Sequence, residues 1–457
     1  MRYIYSLIII WCVAVTGSYA QQAGPDTATL NMRLQDCINY AYQHQDSVKN
    51  ATLDVKSAEY KIKETIATGL PQVSGTASFQ YYFTPPPSVG PNFEALTSGK
   101  PFDPNAPLVK YPFGATNYTH NYTLQATQLL FSGTYIVGLQ AVKTFKELYQ
   151  RSLTRTKIET NVSVAKAYYQ VLVSNEQIKL LDANIAQLKE QLDQTIQQNK
   201  QGFVEKIDVD RLQVQYDNLV TNKENTVRLL DLNYQMLKFQ MGMSIYAKIN
   251  LTDKLEDIEF TDHLADYATD TAFYRNRIEY NLLETNVKLN QLNAKSKKAE
   301  FLPTFSANGG YGEVFEENHF RYLYDNAYNQ SYIGLNLNIP IFSGGQRINQ
   351  LRELNITTEK SQNDLFDAKN ALSLQASNAR ITYYNNLQSL NNQKHSQQLA
   401  QEVLHVARVK YQQGVGSSLE VTQAETDLQS ADNQYIQALY NVLIGKVDLE
   451  KAYGRIK

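Results

Sequence analysis

Leu130-Phe131-Ser132-Gly133 decides the fold, because Ile341-Phe342-Ser343-Gly344 echoes it 211 residues later. Each tetrapeptide closes a run of alternating polar and apolar residues. Each opens a long segment rich in Gln, Leu and Ala that has no internal Pro. The hydrophobic period therefore changes from 2 to about 3.6 at both places, as where a β-strand runs into a long α-helix. Phe131, Gly133, Phe342 and Gly344 mark these two junctions. The chain reads as two copies of one unit.

Upstream of the first junction, helical pattern runs from about Thr29 to Ala67 and ends at Leu70-Pro71, since Pro lacks an N–H and restricts the residue before it. Residues 72–83 and 118–131 alternate as strands, separated by a Pro-, Gly- and Asn-rich loop over 84–117 that shows little periodicity. Downstream, one continuous helix is expected from Thr134 to about Lys200. Ile178, Leu181, Ile185, Leu188 and Leu192 form a coiled-coil stripe along it. At about 1.5 Å per residue it would be on the order of 100 Å long. Gly202 breaks it, and a return helix from about Asp208 ends at Gly242.

The second copy follows the same plan. Residues 271–300 read as helix up to Leu302-Pro303, and 304–315 and 328–342 as strands. A second long helix runs to about Gln413, Gly414 breaks it, and a return helix ends at Gly454. Gly414 and Gly454 each lie 212 residues after their counterparts. The expected organisation is a signal peptide over 1–20, a first repeat over 21–242, an acidic connector over 243–270 and a second repeat over 271–457. The signal rests on Arg2, an apolar stretch from Ile4 to Val15, and Ser18-Tyr19-Ala20 before Gln21.

Composition excludes several classes. A formal charge of −2 over 457 residues gives no basis for nucleic-acid binding. Past the signal, no stretch approaches the roughly 18 apolar residues of a membrane helix. Cys37 is the one cysteine beyond the signal, so no internal disulfide is expected. Six His without metal-ligand spacing, and no Gly-rich phosphate loop, point to no enzyme, metal or cofactor.

The strands are the right length to cross a membrane at a tilt, roughly 9–11 residues. Gln, Ser, Thr, Asn and Gly dominate one face. Aromatics gather at the loop-side ends: Phe79, Tyr81, Phe83, Tyr118, Tyr122, Tyr311, Phe315, Tyr328 and Tyr332. Four such strands cannot close a barrel, and an open sheet in lipid leaves backbone groups unpaired. Copies of the chain must then share a barrel; two give eight strands and three give twelve.

A signal peptide, two repeats of helix–strand–strand–long helix–return helix, Leu-Pro before the first strand of each and Phe-Ser-Gly after the second resemble the TolC-like outer-membrane efflux proteins over nearly the whole mature chain. The resemblance implies an α+β membrane protein: a homotrimer with a twelve-strand β-barrel in the outer membrane of a Gram-negative bacterium, continuous with a coiled-coil periplasmic tunnel. It implies partners too, a periplasmic adaptor and an inner-membrane pump, and a passive exit duct for small molecules. Type I protein secretion is the alternative duty, and a non-pore periplasmic coiled-coil scaffold is the alternative of a different class. In that picture Gly202, Val204, Gly414 and Val415 are adaptor-docking tips. Asp208, Asp210 and Glu420 are candidates for an acidic periplasmic gate. Arg211 and Gln423 stand where family members can carry a further acid.

Overall fold

The structure is a computed structural model that describes residues 29–90, 107–111, 116–255, 258, 260 and 272–456. The expected signal over 1–20, and much of the 84–117 loop and of the 243–270 connector, lie outside the described residues. In chain order the elements are β1 (Leu30–Met32), α1 (Leu34–His44), α2 (Asp46–Ala67), β2 (Gln72–Tyr81), β3 (Ser88–Gly90), β4 (Val109–Tyr111), β5 (Tyr118–Phe131), α3 (Gly133–Lys200), α4 (Lys206–Gln240), β6 (Ile249–Leu251), α5 (Ile278–Ala299), β7 (Thr304–Glu317), β8 (Tyr328–Asn338), α6 (Gln346–Gln412) and α7 (Ser418–Ala452). Short 3-10 turns occupy Phe273–Asn276 and Phe320–Tyr322. The described residues fold as two compact units. One draws on residues 29–50, 154–277 and 372–456; the other draws on 51–153 and 278–371.

In the first unit, the helices pack by the stripe the sequence shows. Leu181, Leu188 and Leu192 of α3 bury against Leu212 and Leu219 of α4. Leu404 and Ala407 of α6 bury against Val421, Ala424 and Leu428 of α7. Each fully buried Leu contributes about 1.5–3 kcal/mol relative to exposure. A third cluster joins Cys37, Ile38 and Ala41 of α1 to Val164, Tyr168 and Val171 of α3 and to Leu237 and Met241. Asp253 organises it from above, accepting from the Leu34 amide at 3.0 Å and from the Tyr168 hydroxyl at 2.8 Å. Burial, and then the charges of Asp36 and Asp253, push the Cys37 thiol up to about 12, so it stays a protonated core side chain.

The single helix expected over 29–67 is instead three elements. β1 pairs in parallel with β6, Leu30 opposite Ile249. Gln45 takes an extended conformation (φ −67°, ψ 125°) that ends α1 before α2 begins. Gly242 explains why the break is tolerated: a Cβ there would lie 2.6 Å from the His44 carbonyl oxygen and 2.7 Å from Gln45 Cα, so only a glycine lets the backbones meet. Likewise the helix expected over 271–300 starts as a 3-10 turn and becomes α-helical only at Ile278.

The second unit holds one antiparallel sheet in the order β2-β5-β7-β8. Register places Val73 opposite Ala126, Leu124 opposite Tyr311, and Gly309 opposite Ile333. These residues and their period-2 partners share one largely apolar face, on which Val73, Leu124, Ile333, Leu335 and Leu337 are exposed. Gln72, Ser74, Thr76, Thr123, Gln125, Asn308, Asn336 and Asn338 share the other face. The register slips at Leu130, a bulge that re-aims β5 just before α3.

Strand ends differ from the expected bounds. β2 stops at Tyr81 rather than 83, and β7 continues to Glu317. β8 stops at Asn338 rather than 342, because Pro340 has no N–H to offer the ladder. The 84–117 loop is not structureless either, since β3 pairs antiparallel with β4. Two residues leave the expected aromatic belt. Tyr332 pairs with Gly310 and Tyr328 with Val314, which puts both rings on the polar face. Gly310 has room for this only because it lacks a Cβ, which would sit 2.7 Å from the Tyr332 ring.

The two Phe-Ser-Gly junctions also differ. At the first, Ser132 alone separates β5 from α3, and its Oγ accepts from the Tyr135 amide at 3.3 Å as an N-cap. Gly133 is helical there, and a Cβ would meet Leu302 Cδ1 at 2.8 Å and the Ala299 carbonyl oxygen at 3.1 Å. At the second, residues 339–345 are irregular, Gly344 (φ 60°) and Gly345 (φ 83°) are left-handed, and Ile341 and Phe342 are almost fully exposed. Gly344 is thus the residue that turns the chain by a positive φ, whereas Gly133 is required for close approach.

Candidate functional site

The candidate site lies in the first unit, at the turns α3–α4 and α6–α7 and along the seam between the hairpins. Both turns end their helices with a left-handed glycine, Gly202 at φ 78° and Gly414 at φ 74°. The Gly202 amide donates to the Asn199 carbonyl and the Phe203 amide to the Gln198 carbonyl, both at 2.9 Å. At the other turn the Gly414 amide donates to Tyr411 and the Val415 amide to Lys410, both at 3.0 Å. These paired bonds satisfy the last helical carbonyls, and the positive φ is what demands glycine. Nothing lies within 4 Å of a Cβ built at either position, so the requirement is conformational and not steric.

The turns expose apolar side chains. Val415 is exposed. Val204 is only half-buried to solvent, and its carbonyl accepts from Asn199 Nδ2 at 2.8 Å. Phe203, Ile207 and Leu419 are exposed beside them. Phe203 and Ile207 each lie 212 residues before Val415 and Leu419, so the exposed pairs correspond.

The three acidic candidates have different surroundings. Asp208 is half-buried, accepts a hydrogen bond from Ser418 Oγ at the start of α7, and has Arg211 Nη1 at 3.7 Å. It therefore links the two turns. Burial, and then the charge of Asp208, push the Tyr411 phenol above its ordinary range. Asp210 and Glu420 are exposed, and the Glu420 amide is capped by Ser417 Oγ at 3.2 Å. Glu420 lines a groove with Glu402, Lys410, Gln423 and Asp427.

Above the turns, the seam carries buried polar groups that the hydrophobic stripe did not reveal. Asp432 of α7, nearly inaccessible, accepts from Asn184 Nδ2 of α3 and from Gln397 Nε2 of α6, both at 2.7 Å. Arg408 Nη2 of α6 donates to Glu425 Oε1 of α7 at 2.9 Å, in a pair largely closed to solvent. Burial pushes the Glu425 carboxyl up, and the Arg408 hydrogen bond and charge partly offset that. The two acids sit next to apolar positions of α7: Glu425 and Asp432 each follow a buried alanine, Ala424 and Ala431, by one residue. His120 was also missed. It lies on the apolar sheet face, with Nδ1 at 2.7 Å from the Tyr324 hydroxyl and its ring centroid 4.3 Å from that of Tyr122.

Among the described residues, no group of three or more His, Cys, Asp or Glu could hold a metal ion. No helix among them is long and apolar enough to cross a membrane. An antiparallel sheet with one apolar and one polar face, on a chain of long helical hairpins, defines the channel class of outer-membrane proteins. The chain belongs to the outer membrane efflux protein family, whose model matches residues 37–238 and 281–455. It is 24% identical to the outer membrane protein TolC of Salmonella enteritidis over 354 residues, covering 73% of this chain and 69% of that protein. It is 23% identical to TolC of Vibrio cholerae over 309 residues, covering 64% and 67%. Among solved structures, CusC superposes with a TM-score of 0.74 at 17% identity, covering 95% of each chain. The open state of the Neisseria gonorrhoeae outer membrane channel MtrE gives 0.71 at 16% identity, covering 95% of this chain and 93% of that one. These structural likenesses bear on the fold. Family membership makes the protein an efflux channel of the Gram-negative outer membrane.

Proposed function

We propose that three copies of the chain close a twelve-strand barrel, and that the assembly is the passive exit duct of a tripartite efflux system for small molecules. The observation that carries this is the open sheet. β2 and β8 form its two edges, and each presents an unpaired row of backbone N–H and C=O groups. In lipid each such group costs several kcal/mol, so β8 of one copy must pair with β2 of the next. The polar face then lines water and the apolar face meets lipid.

The turns at Gly202 and Gly414 would dock a periplasmic adaptor through Phe203, Val204, Ile207, Val415 and Leu419. An inner-membrane pump would supply the energy. Asp208, Asp210 and Glu420 would ring the periplasmic opening three times over. The Asp208–Ser418 bond favours a closed arrangement by joining the two turns of one chain. The barrel–tunnel junctions would be Phe131-Ser132-Gly133 and the segment containing Phe342 and Gly344.

The test is mass and conductance together. Protein purified in detergent should have the mass of three chains by light scattering, and should form cation-preferring pores in planar bilayers. A monomer that conducts nothing would end the duct reading. An efflux assay in a deletion strain then separates small-molecule export from protein secretion.

A further inference from the structure

We propose that the polar face of the sheet carries a binding site for a planar aromatic monocation, formed by Tyr328 and Tyr332 of β8 and Glu316 of β7. The site lies wholly on the sheet of one chain. Only its place on the wall of a water-filled passage rests on the proposed duct.

Register isolates these three residues. Among the paired residues of β2, β5, β7 and β8, the polar face has Glu316 as its one charge and Tyr328 and Tyr332 as its two aromatics. Tyr328 stands opposite Val314, so Glu316, two residues further along β7, is its diagonal neighbour on the same face, about 7–8 Å away. Glu316 is exposed and stands opposite the neutral Thr119. Glu313, on the apolar face, is instead engaged, accepting from the Tyr311 hydroxyl at 2.8 Å.

The two rings are presented to solvent, Tyr328 60% and Tyr332 48% exposed. They differ from loose surface side chains in having room made for them. Tyr332 reaches over Gly310, where a Cβ would stand 2.7 Å from the ring. Gln330, between the two tyrosines, reaches over Gly312, where a Cβ would stand 3.4 Å from its Nε2. Two glycines of β7 thus let side chains of β8 lie across the sheet. A ring held in this way has less freedom to lose when a second ring stacks on it.

Chemistry selects the ligand. The face of a tyrosine ring attracts a cation, and Glu316 adds the matching charge and repels an anion. A cation without a ring gains the charge and no stacking; a neutral ring gains stacking and no charge. At about 3.3 Å per residue the two tyrosines are about 13 Å apart along β8, so they act as two separate stations. Weak binding at several stations suits conduction, which needs a ligand that can leave as well as enter.

The probe is 1-methylquinolinium, with tetramethylammonium and uncharged quinoline as comparators. Saturation-transfer NMR on the full-length protein in detergent reads binding, and planar bilayers read block of the current. The probe should bind saturably, more tightly at low salt, and should reduce the current. Tyr328→Leu with Tyr332→Leu should weaken it about tenfold and Glu316→Gln about threefold, whereas Tyr328→Phe with Tyr332→Phe should stay within about twofold of wild type. Tyr311→Phe, on the apolar face, should change nothing. Absence of saturable binding overturns the proposal, and pores that still form would leave the duct reading standing. Binding without pores supports the site and ends the duct reading. Binding with unblocked pores overturns its place on the duct wall. Equal affinity for either comparator, or for the double leucine variant with native strand content, overturns the proposal.

Discussion

Replacing Asp432 tests whether the polar seam holds the hairpins together. Its carboxylate takes one amide donor from α3 and one from α6, both at 2.7 Å, within a nearly inaccessible site. Hydrogen bonds to a charged group are worth about 1.5–3 kcal/mol each. Asp432→Ala removes both and relieves the desolvation of one buried charge, but leaves the Asn184 and Gln397 amides unmet. The net loss should be about 2–4 kcal/mol, after setting a penalty of about 1–3 kcal/mol per stranded amide against that relief. Asp432→Asn keeps the volume and one acceptor, and turns its own NH2 toward a donor; about half the loss should remain. Since about 1.4 kcal/mol is a factor of ten, Asp432→Ala should speed local amide exchange around Asn184 and Gln397 by about 30- to 1,000-fold. Hydrogen-exchange mass spectrometry of the detergent-purified protein reads this directly. A change below about threefold in Asp432→Ala, or a larger effect in Asp432→Asn than in Asp432→Ala, would refute the reasoning.

Four further outcomes can be checked. Gly414→Ala should lower stability by about 1–2 kcal/mol from its positive φ alone, and Gly202→Ala by a similar amount, read as shifts in thermal unfolding midpoint. Gly416→Ala acts by crowding instead, since a Cβ would stand 3.0 Å from Lys410 Cβ and from the Tyr411 amide nitrogen, so its φ-neutral environment should still give a measurable loss. For Glu425, the folded protein binds its proton more tightly than the unfolded chain does, so this group's contribution falls as pH rises above the ordinary glutamate pKa of about 4.3. Glu425→Gln should flatten the stability profile over that window; a profile that keeps its downward slope would exclude Glu425 as the source. Finally, Asp210→Ala with Glu420→Ala should weaken block of the pore by divalent cations and raise its conductance, whereas Ser418→Ala should reproduce the effect of losing Asp208's tie to α7; unchanged conductance in all of these would remove the gate assignment.

Period and punctuation made much of this architecture readable. The long helices α3 and α6, of 68 and 67 residues, and the return helices α4 and α7, of 35 each, follow from uninterrupted apolar stripes bounded by Gly202, Gly242, Gly414 and Gly454. What escaped was set by partners distant in sequence. β1 looks helical by period, yet pairs with a strand more than two hundred residues away. The break at Gln45 depends on Gly242 fitting against it. Tyr328 and Tyr332 read as interface aromatics by composition, and only register places them on the polar face. Pro340 is a local signal that the strand cannot reach Phe342, although the alternation runs on to Ile339. At the turns, the glycines were legible because left-handed φ restricts residue type, whereas the Asp208–Ser418 bond joins side chains from opposite halves of the chain.

The buried charges of the seam show how the two hairpins divide their duties. Arg408, Glu425 and Asp432 lie 212 residues after Ile196, Gln213 and Val220. The hairpin α3–α4 thus has no charge at the positions where α6–α7 has three, and five Leu residues form its core cluster. Buried charge in a coiled coil lowers stability relative to apolar packing of the same volume while specifying which neighbours fit. Asp432 uses that specificity across the seam, toward α3, and Arg408 and Glu425 use it within their own hairpin. The α6–α7 turn also contains a second glycine, Gly416, where the α3–α4 turn has Val204. A more glycine-rich turn and the three charged seam residues fall on the same hairpin.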